Sequence, residues 1–414
     1  MTTSQHQHGA SDANPITRRR FLAGTGASVM AFTVLKPGLV RGAEANSKIS
    51  LGLIGCGNRG KWVASLFQKH GGYNLVAVAD YFQDHADEAG EKLNVPAGQR
   101  FTGLSGYRRL LEQKLDAVAI ETPPYFHPEQ AAAAVDAGKH VYLAKPIAVD
   151  VPGCLTVAES GQKATARKLC FLVDFQTRAC KPHQEAAKAV HDGEIGQIVS
   201  AEATYHCGPT FERQDQLLRQ DPQNPELRLR AWGLDRAFSG DVITEQNIHA
   251  LDLACWLLDA DPVRAYGTGG SKRGFVGDCW DHFAVIFYFP NDVAVSFNST
   301  QVGYGYNDIM CRVFGLTGTA DVHYSDTVTV KAKEFHSTGK VGGIYKEGVE
   351  NNIATFHDSI TRGQYANTTV PASVRSNLTT ILGRTAAYQN DVVSWKDIMR
   401  RKEKLVPDLK GLKA

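Results

Sequence analysis

Ile49-Ser50-Leu51-Gly52-Leu53-Ile54-Gly55-Cys56-Gly57-Asn58-Arg59-Gly60 joins an apolar hexapeptide to a glycine loop, and a helical pattern over Arg59–Lys69 follows. That order gives each glycine a task. Gly55 permits the tight turn, Gly57 lets the backbone approach a pyrophosphate, and Gly60 lets helix and strand pack closely. The free amides and positive end of the helix starting near Asn58 then favour a diphosphate. A second apolar run, Leu75–Ala79, ends at Asp80, about 20 residues past the last glycine. A carboxylate there suits a ribose 2′-hydroxyl and repels a 2′-phosphate. The loop therefore predicts a dinucleotide, NAD in preference to NADP, held by Gly55, Cys56, Gly57, Asn58, Arg59, Gly60 and Asp80.

Further strands are expected at Ala117–Ile120, His140–Leu143 and Leu169–Val173, with helices at Gln83–Leu93, Tyr107–Glu112, Pro128–Ala137 and Pro152–Thr165. Strand–helix alternation with buried strands predicts an α/β fold whose first part is a Rossmann-type, doubly wound parallel sheet. The ligand crevice of such a sheet lies beyond the carboxyl ends of its strands. Asp80, Glu121-Thr122-Pro123-Pro124 and Ala144-Lys145-Pro146 all fall there.

After Gln176 the pattern changes. A helix over Lys181–His191 leads to a strand near Ile198–His206, then to a polar, irregular insertion from Gly208 to about Arg230. A long helix is expected from Asp241 to Leu258. Alternating runs at His282–Phe289, Val293–Asn298 and Ile309–Phe314, the first two separated by Pro290-Asn291-Asp292, predict an α+β part with a mostly antiparallel open sheet. Late helices are expected near Asn351–Thr361 and Ser373–Tyr388. The expected division is a leader over 1–45, a dinucleotide-binding domain over 46–175, a substrate and oligomerisation domain over 176–390, and a C-terminal tail over 391–414 whose Arg400–Lys404 end is solvated.

The leader carries Thr17-Arg18-Arg19-Arg20-Phe21-Leu22, which resembles the twin-arginine export signature. The stretch from Leu22 to Leu35 is too short and too weakly apolar to span a membrane. Ala43-Glu44-Ala45 offers small residues to a signal peptidase, so the mature chain is expected to start at Asn46 in the periplasm or an equivalent exported compartment. A basic N-terminus or a retained anchor is the alternative.

Roughly 370 residues remain without the leader, enough for two domains. With 45 Lys and Arg against 43 Asp and Glu, and no polybasic stripe interleaved with aromatics, nucleic acid is not an expected partner. No mature stretch is long and apolar enough to be a stable membrane span. The eight cysteines are scattered, none in C-x-x-C spacing, so neither a disulfide framework nor a metal site is expected.

Lys145 follows a strand and precedes Pro146, which biases it toward extended geometry and aims its ammonium at the crevice. There it suits a reacting hydroxyl, or is simply a solvated loop lysine. Glu245, His249 and Asp252 share one face of the expected long helix, three and four residues apart. Oxidation of an alcohol needs a base for the hydroxyl proton; His249 is a candidate, with Glu245 to orient it. The alternative is an amphipathic helix with a satisfied histidine. Trp232, Trp256 and Trp280 are candidates to stack on a sugar ring or are core residues. His127 either lines the crevice or starts a helix. Gln176 and Arg178 are candidate cofactor or substrate contacts, and Arg178 has a local acid as its alternative partner.

Taken together, these motifs resemble the glucose–fructose oxidoreductase and inositol dehydrogenase family, Gfo/Idh/MocA. The carriers are Gly55–Gly60, Thr122-Pro123 with His127, Ala137-Gly138-Lys139-His140-Val141 leading to Lys145-Pro146, and Glu245-Gln246-Asn247-Ile248-His249 with Asp252. The resemblance runs from about Lys48 to the late helix around Asn377–Tyr388. It implies a Rossmann domain with an open-sheet second domain that commonly mediates dimers or tetramers. It also implies oxidation or reduction of secondary alcohols of sugars and cyclitols. Lys145, Glu245 and His249 would be the catalytic set, Thr122, Pro123, His127 and Lys145 further cofactor contacts, and Gln176, Arg178 and Asp252 substrate contacts. Two departures stand out: Ala144 where the family usually has Glu, and Glu245 where it usually has Asp.

Export adds a constraint, since no pool of NAD is available for exchange outside the cytoplasm. The expected activity is a sugar oxidoreductase with tightly held cofactor. Its rivals are redox-neutral glycosidase, lyase or epimerase chemistry through a transient keto-sugar, and a sugar-binding protein without turnover, for which Ala144 is the hint.

Overall fold

The structure, a computed structural model, describes residues 48–333 and 335–414. The twin-arginine segment and the expected cleavage motif lie outside these residues. Alternation begins at once: β1 (Ile49–Ile54), α1 (Asn58–His70), β2 (Tyr73–Asp80), α2 (Gln83–Leu93), β3 (Arg100–Thr102), α3 (Gly106–Leu111), β4 (Ala117–Ile120), α4 (His127–Asp136), β5 (His140–Ala144), α5 (Val151–Ala166) and β6 (Phe171–Asp174). The six strands form one parallel sheet in the order β3-β2-β1-β4-β5-β6, the doubly wound arrangement. β1 is central and has helices on both sides. Leu51, Leu53 and Ile54 are accordingly fully buried, each contributing about 1.5–3 kcal/mol relative to exposure.

A second set follows: α6 (Lys181–His191), β7 (Ile198–His206), α7 (Glu212–Leu218), α8 (Pro225–Arg230), α9 (Arg236–Ser239), α10 (Val242–Glu245), α11 (Ile248–Leu258), β8 (Arg264–Gly270), β9 (His282–Tyr288), β10 (Ala294–Thr300), β11 (Asp308–Gly315), β12 (Thr319–His323), β13 (Asp326–Lys331) and β14 (Phe335–Val341). The chain closes with α12 (Ile344–Arg362), α13 (Thr369–Gln389), β15 (Val393–Ser394) and α14 (Trp395–Arg401). These strands make a nine-stranded sheet, β14-β13-β12-β11-β7-β10-β9-β8-β15, antiparallel except for the β7–β10 pair. Alternating burial along β9 and β10 leaves one face against α11 and α13, while Tyr266, Ile286 and Phe314 stay exposed on the other.

Long-range polar contacts lock the two sheets into one unit. Asn377 on α13 accepts from the Ile147 amide at 3.0 Å and donates to the Ala148 carbonyl at 3.1 Å. Arg384, also on α13 and buried, donates to the carbonyls of Gly240 at 2.7 Å and Val149 at 2.9 Å. Helix α12 packs on α1, where Tyr73 donates to the Ile353 carbonyl at 2.9 Å.

Three expectations are revised. The insertion over 208–230 is not irregular: Asn224 caps α8 by accepting from the amides of Glu226 and Leu227. The expected helix 241–258 is two helices. The Asn247 amide reaches back to the Val242 carbonyl and the His249 amide turns to the Gln246 carbonyl, which breaks the ladder and frees the Glu245 carbonyl. The stretch 391–414, expected as a tail, adds β15 beside β8 and returns to the first sheet, where the Leu104 amide donates to the Lys413 carbonyl at 3.1 Å.

Candidate active site

Gly55 stands at φ +95°, and a Cβ there would press on the Glu121–Thr122 peptide at 2.6 Å. A Cβ on Gly60 would stand 1.9 Å from the Gly55 carbonyl oxygen. At Gly57 nothing lies within 4 Å of that position, so the backbone is open to approach from the crevice side. Gly57 caps α1 without a side-chain acceptor and the first turn holds no acid, which leaves the helix's positive end available to an anion.

Asp80 is positioned by this same loop. Its Oδ2 accepts from the Cys56 amide at 2.7 Å and its Oδ1 from the Phe82 amide at 2.9 Å. The Cys56 side chain points into the core. A chamber opens beside Asp80, bounded by Gly55, Gly57, Phe82, Leu104, Thr122, Pro123 and Trp232. Its glycine floor, carboxylate and apolar walls fit an adenosine diphosphate moiety. Helix α8, from the insertion over 208–230, supplies Leu229 and Arg230 to this chamber.

A second chamber shares Glu121, Thr122 and Trp232 with the first and is lined by Lys145, Gln176, Glu245 and His249. Lys145, whose peptide bond to Pro146 is cis, donates from Nζ to the Glu245 carbonyl at 2.6 Å. The Glu245 carboxylate lies 3.5 Å away. The carbonyl is free because α10 ends there, so the helix break creates the lysine's acceptor. Burial lowers the Lys145 pKa although Glu245 opposes it. The His249 ring meets Tyr324 edge-on at 4.9 Å, and burial, with Lys145 and Arg59 adding to it, pushes its pKa well down, so it is a neutral imidazole.

Several expected roles change. Glu245 does not orient His249: its carboxylate accepts from Gln246 at 2.6 Å and faces Lys145, while His249 Nδ1 is buried without a hydrogen-bond partner among the described residues. His127 is a clamp rather than a cofactor contact, its Nδ1 2.8 Å from the Pro146 carbonyl and its Nε2 2.7 Å from that of Thr122. Burial lowers its pKa to about 4. Arg178 and Asp252 leave the chamber and pair with each other through contacts of 2.9–3.1 Å, with Ser376 donating to Asp252 at 2.6 Å. Arg178 also sits over Trp256, and Trp280 stacks on Tyr388, so only Trp232 of the three tryptophans borders a chamber. Gln176 does reach the chamber. Arg59 turns from the loop toward Asp174, donating to its Oδ2 at 2.6 Å, and its Nε lies 3.1 Å from Glu121. Asn58 is exposed at the helix start.

Because Asp252 is buried, removing its partner leaves an uncompensated charge. Arg178→Ala is expected to cost about 3–5 kcal/mol in chemical denaturation, with the order of preference among substrates unchanged.

Asp174, Tyr205, Gln246, Tyr324 and Tyr345 were not expected as site residues, and Glu121 was placed at the crevice without a role. Glu121 had a signal, being a charged residue directly after a fully apolar strand in a crevice motif. Tyr205 lay on an alternating strand; it donates to Gln246 Oε1 at 2.7 Å. Tyr324 and Tyr345 come from distant elements that carry no local mark.

Comparison with known proteins agrees with this architecture. A model of an oxidoreductase family with an NAD-binding Rossmann fold matches residues 49–172, and one of the GFO/IDH/MocA C-terminal domain matches residues 183–321. The chain belongs to the Gfo/Idh/MocA family and is an NAD-binding oxidoreductase. It is 27% identical to an inositol 2-dehydrogenase of Rhizobium meliloti (strain 1021) over 334 residues, covering 76% of this chain and 89% of that protein. The fold is similar to a levoglucosan dehydrogenase solved with NADH (TM-score 0.67, 20% identity, 84% of this chain, 99% of the other). It is equally similar to an aldose–aldose oxidoreductase from Caulobacter crescentus complexed with glycerol (TM-score 0.67, 19% identity, 84% of this chain, 99% of the other).

Proposed function

We propose that the protein oxidises a secondary hydroxyl of a sugar or cyclitol, or reduces the corresponding ketone, and keeps its NAD tightly bound. The observation that carries this reading is the buried Lys145 ammonium, facing a polar chamber that adjoins the glycine loop. Gly55–Gly60 would hold the diphosphate and Asp80 a ribose hydroxyl. When bound, NAD supplies the hydride acceptor or donor. Lys145 Nζ exchanges its bond to the Glu245 carbonyl for one to the reacting oxygen, and its lowered pKa suits it to move that oxygen's proton. Glu245 holds the lysine in place. Neutral His249 offers a ring nitrogen to a substrate hydroxyl, and Trp232 a face for a pyranose or cyclitol ring. The inositol dehydrogenase among its relatives supports the substrate class, and the twin-arginine segment supports a cofactor carried with the folded chain.

Mass spectrometry of the purified, denatured chain is expected to release NAD. Incubation with a panel of sugars and cyclitols is expected to give an oxidised product. Release of free sugar from glycosides without oxidation would favour the redox-neutral rival, and failure to retain any nicotinamide dinucleotide would overturn the reading.

A further inference from the structure

Charges around the second chamber do not balance. Arg59 and Lys145 bring two cations; Asp174, Glu245 and Glu121 bring three carboxylates. Lys145 faces Glu245. Arg59 gives its shortest bond to Asp174, which also accepts from Asn352 at 2.8 Å, and donates to the Tyr345 hydroxyl at 3.1 Å. Glu121 is the surplus anion. Its side chain is wholly buried, neither oxygen has a well-aligned hydrogen-bond partner among the described residues, and the cations nearest it are Arg59, whose Nε lies 3.1 Å from Oε2, and Lys145. It borders both chambers, at the carboxyl end of β4, where the two meet.

A buried carboxylate this poorly satisfied is costly unless an occupant supplies positive charge or the carboxylate takes a proton. Oxidised nicotinamide is a cation and reduced nicotinamide is neutral. We propose that Glu121 is the counter-ion by which the cleft tells the two apart, ionised opposite the charged ring and holding a proton on its carboxyl oxygen opposite the neutral one. This rests on the reading of the two chambers as the dinucleotide site.

Burial pushes the Glu121 carboxyl up to about 7 against the opposing pull of Arg59, so its proton is exchangeable near neutrality. The groups facing it are Arg59 from α1, Tyr142 on β5, Lys145 after β5 and Asp174 ending β6. Arg59 is driven further toward its charged form and Tyr142 toward its neutral form, so neither titrates in this range. Lys145 is displaced downward and is controlled for separately.

The test is equilibrium binding of NAD+ and of NADH to the cofactor-stripped, full-length chain from pH 6 to 9. For the wild type, preference for NAD+ over NADH is expected to rise with pH, by up to about tenfold per unit below neutrality, and then level off. Calorimetry in buffers of different ionisation heat is expected to show a proton released on binding NAD+ and not NADH. Glu121→Gln is expected to flatten the pH dependence and weaken NAD+ at least about tenfold more than NADH. Lys145→Met is expected to retain a pH-dependent preference with its midpoint moved upward, because the lysine's charge no longer pulls the Glu121 carboxyl down. A wild-type preference that does not vary with pH, with both forms bound, would overturn this inference alone. So would a slope that survives in Glu121→Gln or vanishes in Lys145→Met. If neither form binds, the cleft assignment falls with it.

Discussion

Lys145→Met is expected to lower kcat/KM for alcohol oxidation by about 10²–10⁴-fold while leaving NAD retention in place. The lysine is held 100 residues away in sequence from its acceptor, the Glu245 carbonyl, in a chamber it shares with His249. Its butyl stem is packed, so methionine preserves shape and removes only the charge and the proton. Oxidation requires Lys145 as the free amine. Because burial lowers its pKa, the rate should rise with pH and level off below the ordinary lysine value. Lys145→Arg, which keeps the charge but cannot give up a proton, should be nearly as inactive as Met. Steady-state kinetics of the three proteins across pH checks both statements. An Arg variant with wild-type oxidation rates would show that the residue acts only as a fixed charge.

The second large effect separates two glycines of one loop. Gly60→Ala puts a Cβ on the Gly55 carbonyl, backbone against backbone, with no flexible side chain to yield. Helix α1 must then move off β1, and a loss at or beyond the upper end of about 1–3 kcal/mol is expected on denaturation, together with loss of NAD. Gly57→Ala meets nothing in the protein. It should melt within about 0.5 kcal/mol of the wild type yet bind NAD at least about tenfold more weakly, because the methyl occupies the path of the diphosphate. Thermal denaturation and a dinucleotide titration on both variants distinguish them. Equal losses of stability would sink the claim that Gly57 serves the ligand and Gly60 the fold.

How far the chain could be read before folding depended on how local the signal was. The strand–loop–helix unit at Ile49–Gly60 was legible because apolar period, turn glycines and the following Asp80 lie within one βαβ stretch. The strands at Ala117–Ile120 and Ile198–His206 were legible for the same reason. β3 was missed because three residues give no period. The break between α10 and α11 was missed because Glu245, His249 and Asp252 share one face at helical spacing and no Pro or Gly interrupts Asp241–Leu258, while the break itself shows only in where the amides of Asn247 and His249 turn. Arg178 and Asp252 look like site residues by spacing, yet each satisfies the other. Charge type is visible in sequence; which opposite charge lies nearest is decided by packing. Ala144 illustrates the point. Its register partner is Asp174, and Leu143 before it pairs with Ile120, which precedes Glu121, so the carboxylate absent from its own position has one on the adjacent strand and one just past the other.

Trp232 belongs to both compartments of the cleft, a party wall between nucleotide and reactant. Engineering of sugar preference at that indole therefore cannot be confined to the sugar. Any trimming that enlarges the reactant side also loosens the enclosure on the nucleotide side, and a variant selected for a bulkier substrate will shed its coenzyme faster.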